Sequence, residues 1–130
     1  RPLRTDGLYW RALRSGMDAQ AAEYRELVVQ LEGELLADPG LPLSHLQHHL
    51  RPWHSVLAEL ALIAVTVHVR GLGGAQVLEL LHLHGATGSP QVAQSVGLLA
   101  QRCHGVLYSM MSGWMLYGRL VDPMGEFFVA

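Results

Sequence analysis

Residues 89–118, SPQVAQSVGLLAQRCHGVLYSMMSGWMLYG, decide the fold of this 130-residue chain. Apolar or small residues recur there in alternate steps of four and three, which is the spacing of one helix face. They are Val92, Val96, Leu99, Cys103, Val106, Met110, Gly113 and Tyr117. A second set, Leu107, Met111, Trp114 and Leu116, widens this face. The stretch therefore predicts an inner helix over about residues 91–117, capped by Ser89 and contacted on more than one side.

The first fifty residues are also typical of helices. Asp18 is a suitable N-cap for a helix whose apolar residues lie three and four apart as far as Leu35. Asp38-Pro39-Gly40 is expected to end that helix. Residues 44–50 leave room for two further turns before Pro52 interrupts the pattern.

The middle of the chain predicts a third and a fourth helix. Residues 53–69 are apolar almost throughout, with Glu59 as the one charged residue of the centre, which is typical of a central, buried helix. Glycines between positions 71 and 74 end this helix, and residues 75–84 form a shorter one. No segment alternates with period two for long enough to predict a strand. We expect an all-α bundle of about five to six helices, with breaks near Pro39, Pro52, 71–74 and 88–90.

Composition narrows the function. Half of the residues are hydrophobic, 15% are charged, and the net charge is −2. All nine positive charges are scattered arginines, so the chain lacks the basic stripe of a nucleic-acid-binding protein. The apolar part of residues 53–69 is shorter than the roughly 20 residues of a membrane span, so no membrane partner is expected. The apolar excess and the abrupt start at Arg1 predict that the chain is a fragment of a larger α-helical protein.

No group of residues predicts a catalytic site. His45, His48 and His49 share one helical turn, but polar surface histidines explain them better than a metal site, since no second ligand cluster accompanies them. Cys103 is followed directly by His104, which a helix turns about 100° away, and Cys103 lies on the apolar face. Glu59 is expected to face solvent or to pair with an arginine. We expect no enzyme activity, no cofactor and no metal.

Two interpretations of the long helix stay open. Its segment YSMMSGW, residues 108–114, could offer an adaptable Met/Trp groove to a partner helix or peptide, as in a stand-alone interaction module. The same spacing is more often plain core.

The end of the chain, RLVDPMGEFFVA, raises a similar choice. Asp122-Pro123 is expected to end the long helix and Gly125 to turn the backbone. Phe127 and Phe128 then return toward the domain. Either both rings fill the core, or one caps the bundle and the other meets a following segment.

This tail carries a resemblance. The segment GWMLYGRLVDPMGEFFV resembles the end of the first grip motif of the gamma-tubulin complex components, in which a long helix with Trp and Gly precedes L-x-D-x-x-x-E-F-F. The matching residues are Trp114, Gly118, Leu120, Asp122, Glu126, Phe127, Phe128 and Val129. Residues 8–46 are also similar to that family, and residues 103–118 and the compact loop near Gly88 favour its fourth-component branch.

The resemblance implies a structural role. Residues 1–130 would form part of the N-terminal helical domain, which packs side by side with other components of the ring complex that nucleates microtubules. Gamma-tubulin would bind a C-terminal domain outside this chain. The implied location is the cytoplasm and cytoskeleton, at the centrosome, spindle pole or another microtubule organizing center. The candidate interaction or domain-packing residues are Trp114, Arg119, Asp122, Glu126, Phe127 and Phe128.

Overall fold

The chain folds into helices joined by short connections. A computed structural model describes residues 7–86, 89–122 and 125–127. These residues contain four helices and no strand: α1 (Leu8–Ala37), α2 (Leu43–Arg70), α3 (Ala75–Ala86) and α4 (Pro90–Tyr117). The predicted all-α class is confirmed. The predicted number of five to six helices is too high, because the break expected near Pro52 does not occur and the helix expected to start after Asp18 is part of a longer one.

Helix α4 is the central element and packs against the other three helices. The hydroxyl of Ser89 accepts a hydrogen bond from the N–H of Val92 (3.4 Å), and Pro90 occupies the first turn, as predicted. The predicted inner face is buried at five positions: Val92, Val96, Leu99, Cys103 and Met110. Its last turn leaves the core, since Tyr117 is exposed.

Helix α1 has no break at Asp18. It begins ten residues earlier, at Leu8, and Gly16 serves the crossing with α4. A Cβ at Gly16 would approach Cδ2 of Leu99 to 2.5 Å, so any larger residue would force the buried Leu99 side chain to move at this crossing. One turn further on, Nε2 of Gln20 donates to the carbonyl of Ser95 (2.9 Å). Sequence periodicity alone cannot distinguish this packing glycine from a helix boundary.

Helix α2 likewise continues through Pro52. Its buried residues, Val56, Leu60, Ile63 and Val67, form one narrow face. The expectation of a helix buried on all sides is therefore wrong. Residues 53–69 were expected to be too short for a membrane span, but they belong to a helix of 28 residues. In the described part of the chain it is the one helix long and apolar enough to cross a membrane, judged by length and composition alone, which is weak evidence.

The second half of α1 and the first half of α2 project beyond the rest of the bundle. Gln20 already lies opposite Ser95, near the start of α4, so later residues of α1 pass the end of that helix. There the two helices contact each other. The rings of Tyr24 and Trp53 lie 5.7 Å apart, and Nε2 of His45 lies 2.9 Å from a carboxylate oxygen of Glu34. We call residues 24–53 the arm.

Candidate functional site at the end of the central helix

The central helix ends at a glycine. Gly118 adopts the left-handed conformation (φ +63°), and its N–H donates to the carbonyl of Trp114 (3.1 Å). The N–H of Arg119 then reaches back to the carbonyl of Gly113 (3.2 Å). These bonds satisfy carbonyls that the helix leaves open. The prediction that Asp122-Pro123 ends the helix is therefore wrong, since the end is already complete at Gly118.

Asp122 instead folds the chain back on itself. One of its carboxylate oxygens accepts the N–H of Glu126, and the other accepts the N–H of Phe127, both at 2.8 Å. Gly125 permits the turn with φ +65°, as predicted. Since hydrogen bonds to a carboxylate are stronger than neutral ones, this side chain fixes the direction in which the chain returns. We call residues 122–127 the strap, of which Pro123 and Met124 lie outside the described residues.

Glu126 joins the strap to the start of α1, near the other end of the sequence. Its Oε2 accepts a hydrogen bond from the N–H of Leu8 (2.8 Å), the first residue of α1. The residue at the N-cap position, Gly7, has no side chain to offer, and a Cβ there would collide with the Glu126 carboxylate. A negative charge at a helix N-terminus is also favoured by the helix dipole. Glu126 thus caps α1 from 118 positions away.

Gly74 lets the strap lie against the connection between α2 and α3. Its φ is +58°, and a Cβ at this position would collide with the backbone carbonyl of Glu126. The glycines at 71–74, which resemble a phosphate loop only superficially, therefore include one that both turns the chain and admits a neighbouring backbone.

Phe127 completes the contact by entering the core. Its ring is 8% exposed and meets the ring of Trp114 edge-on, with centroids 5.9 Å apart and planes at 68°. Trp114 covers Phe127 while remaining 42% exposed on its other side. Phe128, predicted beside it, lies outside the described residues.

The carboxylate of Glu126 affects two buried groups nearby. Burial, and next the charge of Glu126, raise the pKa of the Tyr9 phenol. Burial and the same charge raise the pKa of Cys103 to about 12. The Cys103 thiol contacts the carbonyl of Tyr9 at 3.9 Å. A thiol with such a pKa is a weak nucleophile, in agreement with its predicted structural role.

Next to the strap the surface is apolar. Four large side chains at the end of α4 and just beyond it are at least 70% exposed: Met115, Leu116, Tyr117 and Val121. We call these four residues the helix-end patch. Arg119, a predicted site residue, lies between Tyr117 and Val121 in the sequence and is also exposed. The structure thus brings Trp114, Asp122, Glu126 and Phe127 together in packing within the chain, and leaves Arg119 at the surface.

A Met/Trp groove is only partly formed. An open groove of about 570 Å³ runs along α4 from Arg102 and continues past the end of the helix to Val121, with Leu8 of α1 also lining it. Met110 contributes to its floor but is buried, and Met111 is half-buried in the core. Of the three methionines on α4, the exposed one is Met115, in the helix-end patch.

His45, His49 and Glu59 have partners within the chain. His45 holds Glu34 and lowers the pKa of that carboxyl through their hydrogen bond, and the Nδ1 of His49 contacts the carbonyl of His45 at 2.9 Å. Within the described ranges no three His, Cys, Asp or Glu side chains come together as a metal site would require. Glu59 was expected to face solvent or to pair with an arginine; it is half-buried and pairs with His84 of α3.

Sequence reasoning missed the capping role of Glu126 and the arm. The one available signal for the cap is that Gly7, which lacks a side-chain acceptor, precedes the aromatic start of α1.

Comparison with known proteins places these features in context. The family model described as gamma tubulin complex component N-terminal matches residues 3–130. The chain is 34% identical over 123 residues to gamma-tubulin complex component 4 of Mus musculus and 33% identical to that of Homo sapiens, in each case over 95% of this chain and 18% of the relative. It is 29% identical to gamma-tubulin complex component 4 of Arabidopsis thaliana, over 94% of this chain and 16% of the relative. The chain thus spans less than a fifth of the length of these relatives.

Proposed function

The chain belongs to the gamma-tubulin complex component family, and from this premise we propose that it packs side by side with neighbouring components of the gamma-tubulin complex and so supports microtubule nucleation. Residues 1–130 would be part of the N-terminal, first-grip-motif helical domain. Gamma-tubulin itself would be held by a later part of the protein. The work is structural and not enzymatic, and it takes place in the cytoplasm at a microtubule organizing center or spindle pole.

The helix-end patch is the observation that carries this proposal. Four large apolar side chains within seven residues of the chain, each at least 70% exposed, are costly to leave in water and are typical of a surface that another protein covers. Helix α4 holds three of these side chains, and the chain just beyond them is held by Asp122, which binds the N–H groups of Glu126 and Phe127, and by the packing of Phe127 against Trp114. A rigid apolar surface loses little conformational entropy when it is covered, which suits a permanent assembly contact.

The test separates assembly from gamma-tubulin binding. Leu116→Glu with Tyr117→Glu places two charges in the patch without touching the core, since both side chains are exposed. In the whole protein we expect complexes to sediment as smaller species on a sucrose gradient, while gamma-tubulin still co-precipitates. Gln101→Glu, on an exposed position of the same helix, is the matched control.

Arg119→Glu probes the exposed charge beside the patch and should weaken assembly less. Circular-dichroism melts must show that every variant is folded. Full-size complexes that instead lose gamma-tubulin would contradict the proposal.

A further inference from the structure

Two exposed surfaces of opposite character lie on different parts of the α1–α2 hairpin. We infer that they bind each other between adjacent subunits: the acidic arm of one subunit packs on the outer face of α2 in the next subunit built on this fold. This inference rests on the proposed function, because it names two surfaces that form the lateral contact.

The outer face of α2 is an apolar stripe without a partner in this bundle. Ala58, Leu62, Val65 and Val69 follow at steps of four, three and four, on the side of the helix away from its buried residues. Leu62, Val65 and Val69 are 51%, 58% and 75% exposed. Apolar residues at this spacing form a face on which a second helix can pack.

The edges of this stripe are cationic or neutral. The exposed ionisable residues of α2 beyond its first two turns are Arg51, His54, His68 and Arg70. Its one acidic residue, Glu59, is half-buried and held by His84. The stripe is therefore suited to a partner helix whose apolar side chains are flanked by carboxylates.

The α1 side of the arm has that composition. Residues 24–38 carry four carboxylates, Glu26, Glu32, Glu34 and Asp38, against the single Arg25, a net formal charge of −3. Among them Val29 and Leu36 are 65% and 75% exposed. Gly33 lies between these two, and the space that a side chain would fill there is open. A neighbouring helix can therefore approach closely at this point.

One molecule cannot join its own two surfaces. The arm helices are fixed side by side by the Tyr24–Trp53 and Glu34–His45 contacts. The α2 stripe begins further along, beside α3, where Glu59 meets His84. The contact is thus between different surfaces of different subunits, and such contacts generate rings or open filaments instead of closed pairs.

Photo-crosslinking locates the occupant of the stripe directly. A benzophenone amino acid replaces Val65 in the whole protein, and assembled complexes are irradiated and digested for mass spectrometry. We expect crosslinked peptides from the region of residues 24–38 of a neighbouring subunit, either this chain or the equivalent segment of a homologous component. Mixing isotope-labelled and unlabelled protein separates contacts between subunits from those within one. Benzophenone at Gln101 is the matched control and should not reach the arm.

Charge exchange tests the complementarity. Glu26→Arg with Glu32→Arg on the arm should lower the yield of this crosslink by roughly tenfold, as should Val65→Glu introduced beside a probe at Leu62. Adding Arg70→Glu on the α2 side should restore part of the loss from the arm variant. A structural defect of the arm would not be rescued in this way.

Several results would overturn the inference. Crosslinks from Val65 to gamma-tubulin, to another part of the same chain, or to lipid in vesicles of phosphatidylcholine and phosphatidylserine each assign the stripe to a different occupant. Full-size complexes formed by Val65→Glu would reject this surface pair while leaving the proposed function intact. Absence of the unaltered protein from gamma-tubulin complexes would reject the proposed function itself.

Discussion

Glu126 shows how one residue connects the two ends of the domain. Its carboxylate supplies the cap that Gly7 cannot. Glu126→Ala should lower the free energy of unfolding by about 1–2 kcal/mol, the usual cost of a lost N-cap, as measured by urea denaturation. Glu126→Gln keeps an acceptor but loses the charge, so it should cost about half as much. Glu26→Ala, on an exposed position, serves as the control; equal stability of Glu126→Ala and the unaltered chain would contradict the capping role.

Phe127 is a second single residue on which the fold depends, because its ring fills one space in the core. Phe127→Ala should cost about 3–5 kcal/mol in unfolding free energy, since it leaves a cavity against Trp114. Phe127→Leu retains most of the volume and should cost clearly less. The loss of the aromatic contact should also change the near-ultraviolet circular dichroism of Trp114. A cost below about 1 kcal/mol for the alanine variant would show that the ring is not part of the core.

Cys103 and Tyr9 make stability fall in alkali. In the folded chain the pKa of Cys103 is raised to about 12, above its ordinary value of 9.0, so the folded state keeps a proton that the unfolded state releases. The free energy of unfolding that this proton contributes is fully present below pH 9 and is lost as the pH rises from there toward 12. Tyr9, whose pKa is also raised, adds to this trend above pH 10. Urea denaturation at pH 7.5 and 10 measures it, and Cys103→Ala should flatten the dependence.

At the scale of the helix, Pro52 is the conspicuous exception. It lies inside α2, is exposed, and cannot donate the hydrogen bond expected of that position. Pro52→Ala should therefore raise the unfolding free energy, by up to about 3 kcal/mol. Ser55→Ala, one turn away on the exposed side, controls for the general gain in helix propensity. A loss of stability in Pro52→Ala would mean that the proline sets a bend on which the arm depends.

Helix type and most helix ends were predictable because their causes are local. The residues that begin or end these helices act within one turn of the chain: they are Ser89 with Pro90, Asp38-Pro39-Gly40, and the glycines after Arg70. The helix start expected at Asp18 and the break expected at Pro52 were wrong because tertiary packing overrides local preference: α1 continues through Gly16 at the α4 crossing, and α2 tolerates its proline. At the candidate site the residues were predicted but not their bonds. The partner of Glu126 lies 118 positions away, which no local pattern records.

The whole molecule presents more apolar surface than a bundle of this size needs. The outer face of α2, the arm and the helix-end patch all expose large aliphatic or aromatic side chains. We expect the isolated 130-residue chain to self-associate, with a sedimentation coefficient that rises with concentration. Val65→Glu together with Leu116→Glu should reduce this association. A single monomeric species at tens of micromolar by analytical ultracentrifugation would contradict the expectation.

The bond between Leu8 and Glu126 also governs when the domain is finished during synthesis. The ribosome releases α1 first, yet the carboxylate that caps it, and the phenylalanine that closes the core beneath Trp114, arrive with the last residues of this segment. Until residue 127 has left the exit tunnel, the nascent helices lack both. A stalled chain in which residues 1–121 are followed by an unrelated tether of about thirty residues, enough to fill the tunnel, should be cut by protease while still attached to the ribosome. A chain in which the same tether follows residue 130, so that the strap has also left the tunnel, should resist it.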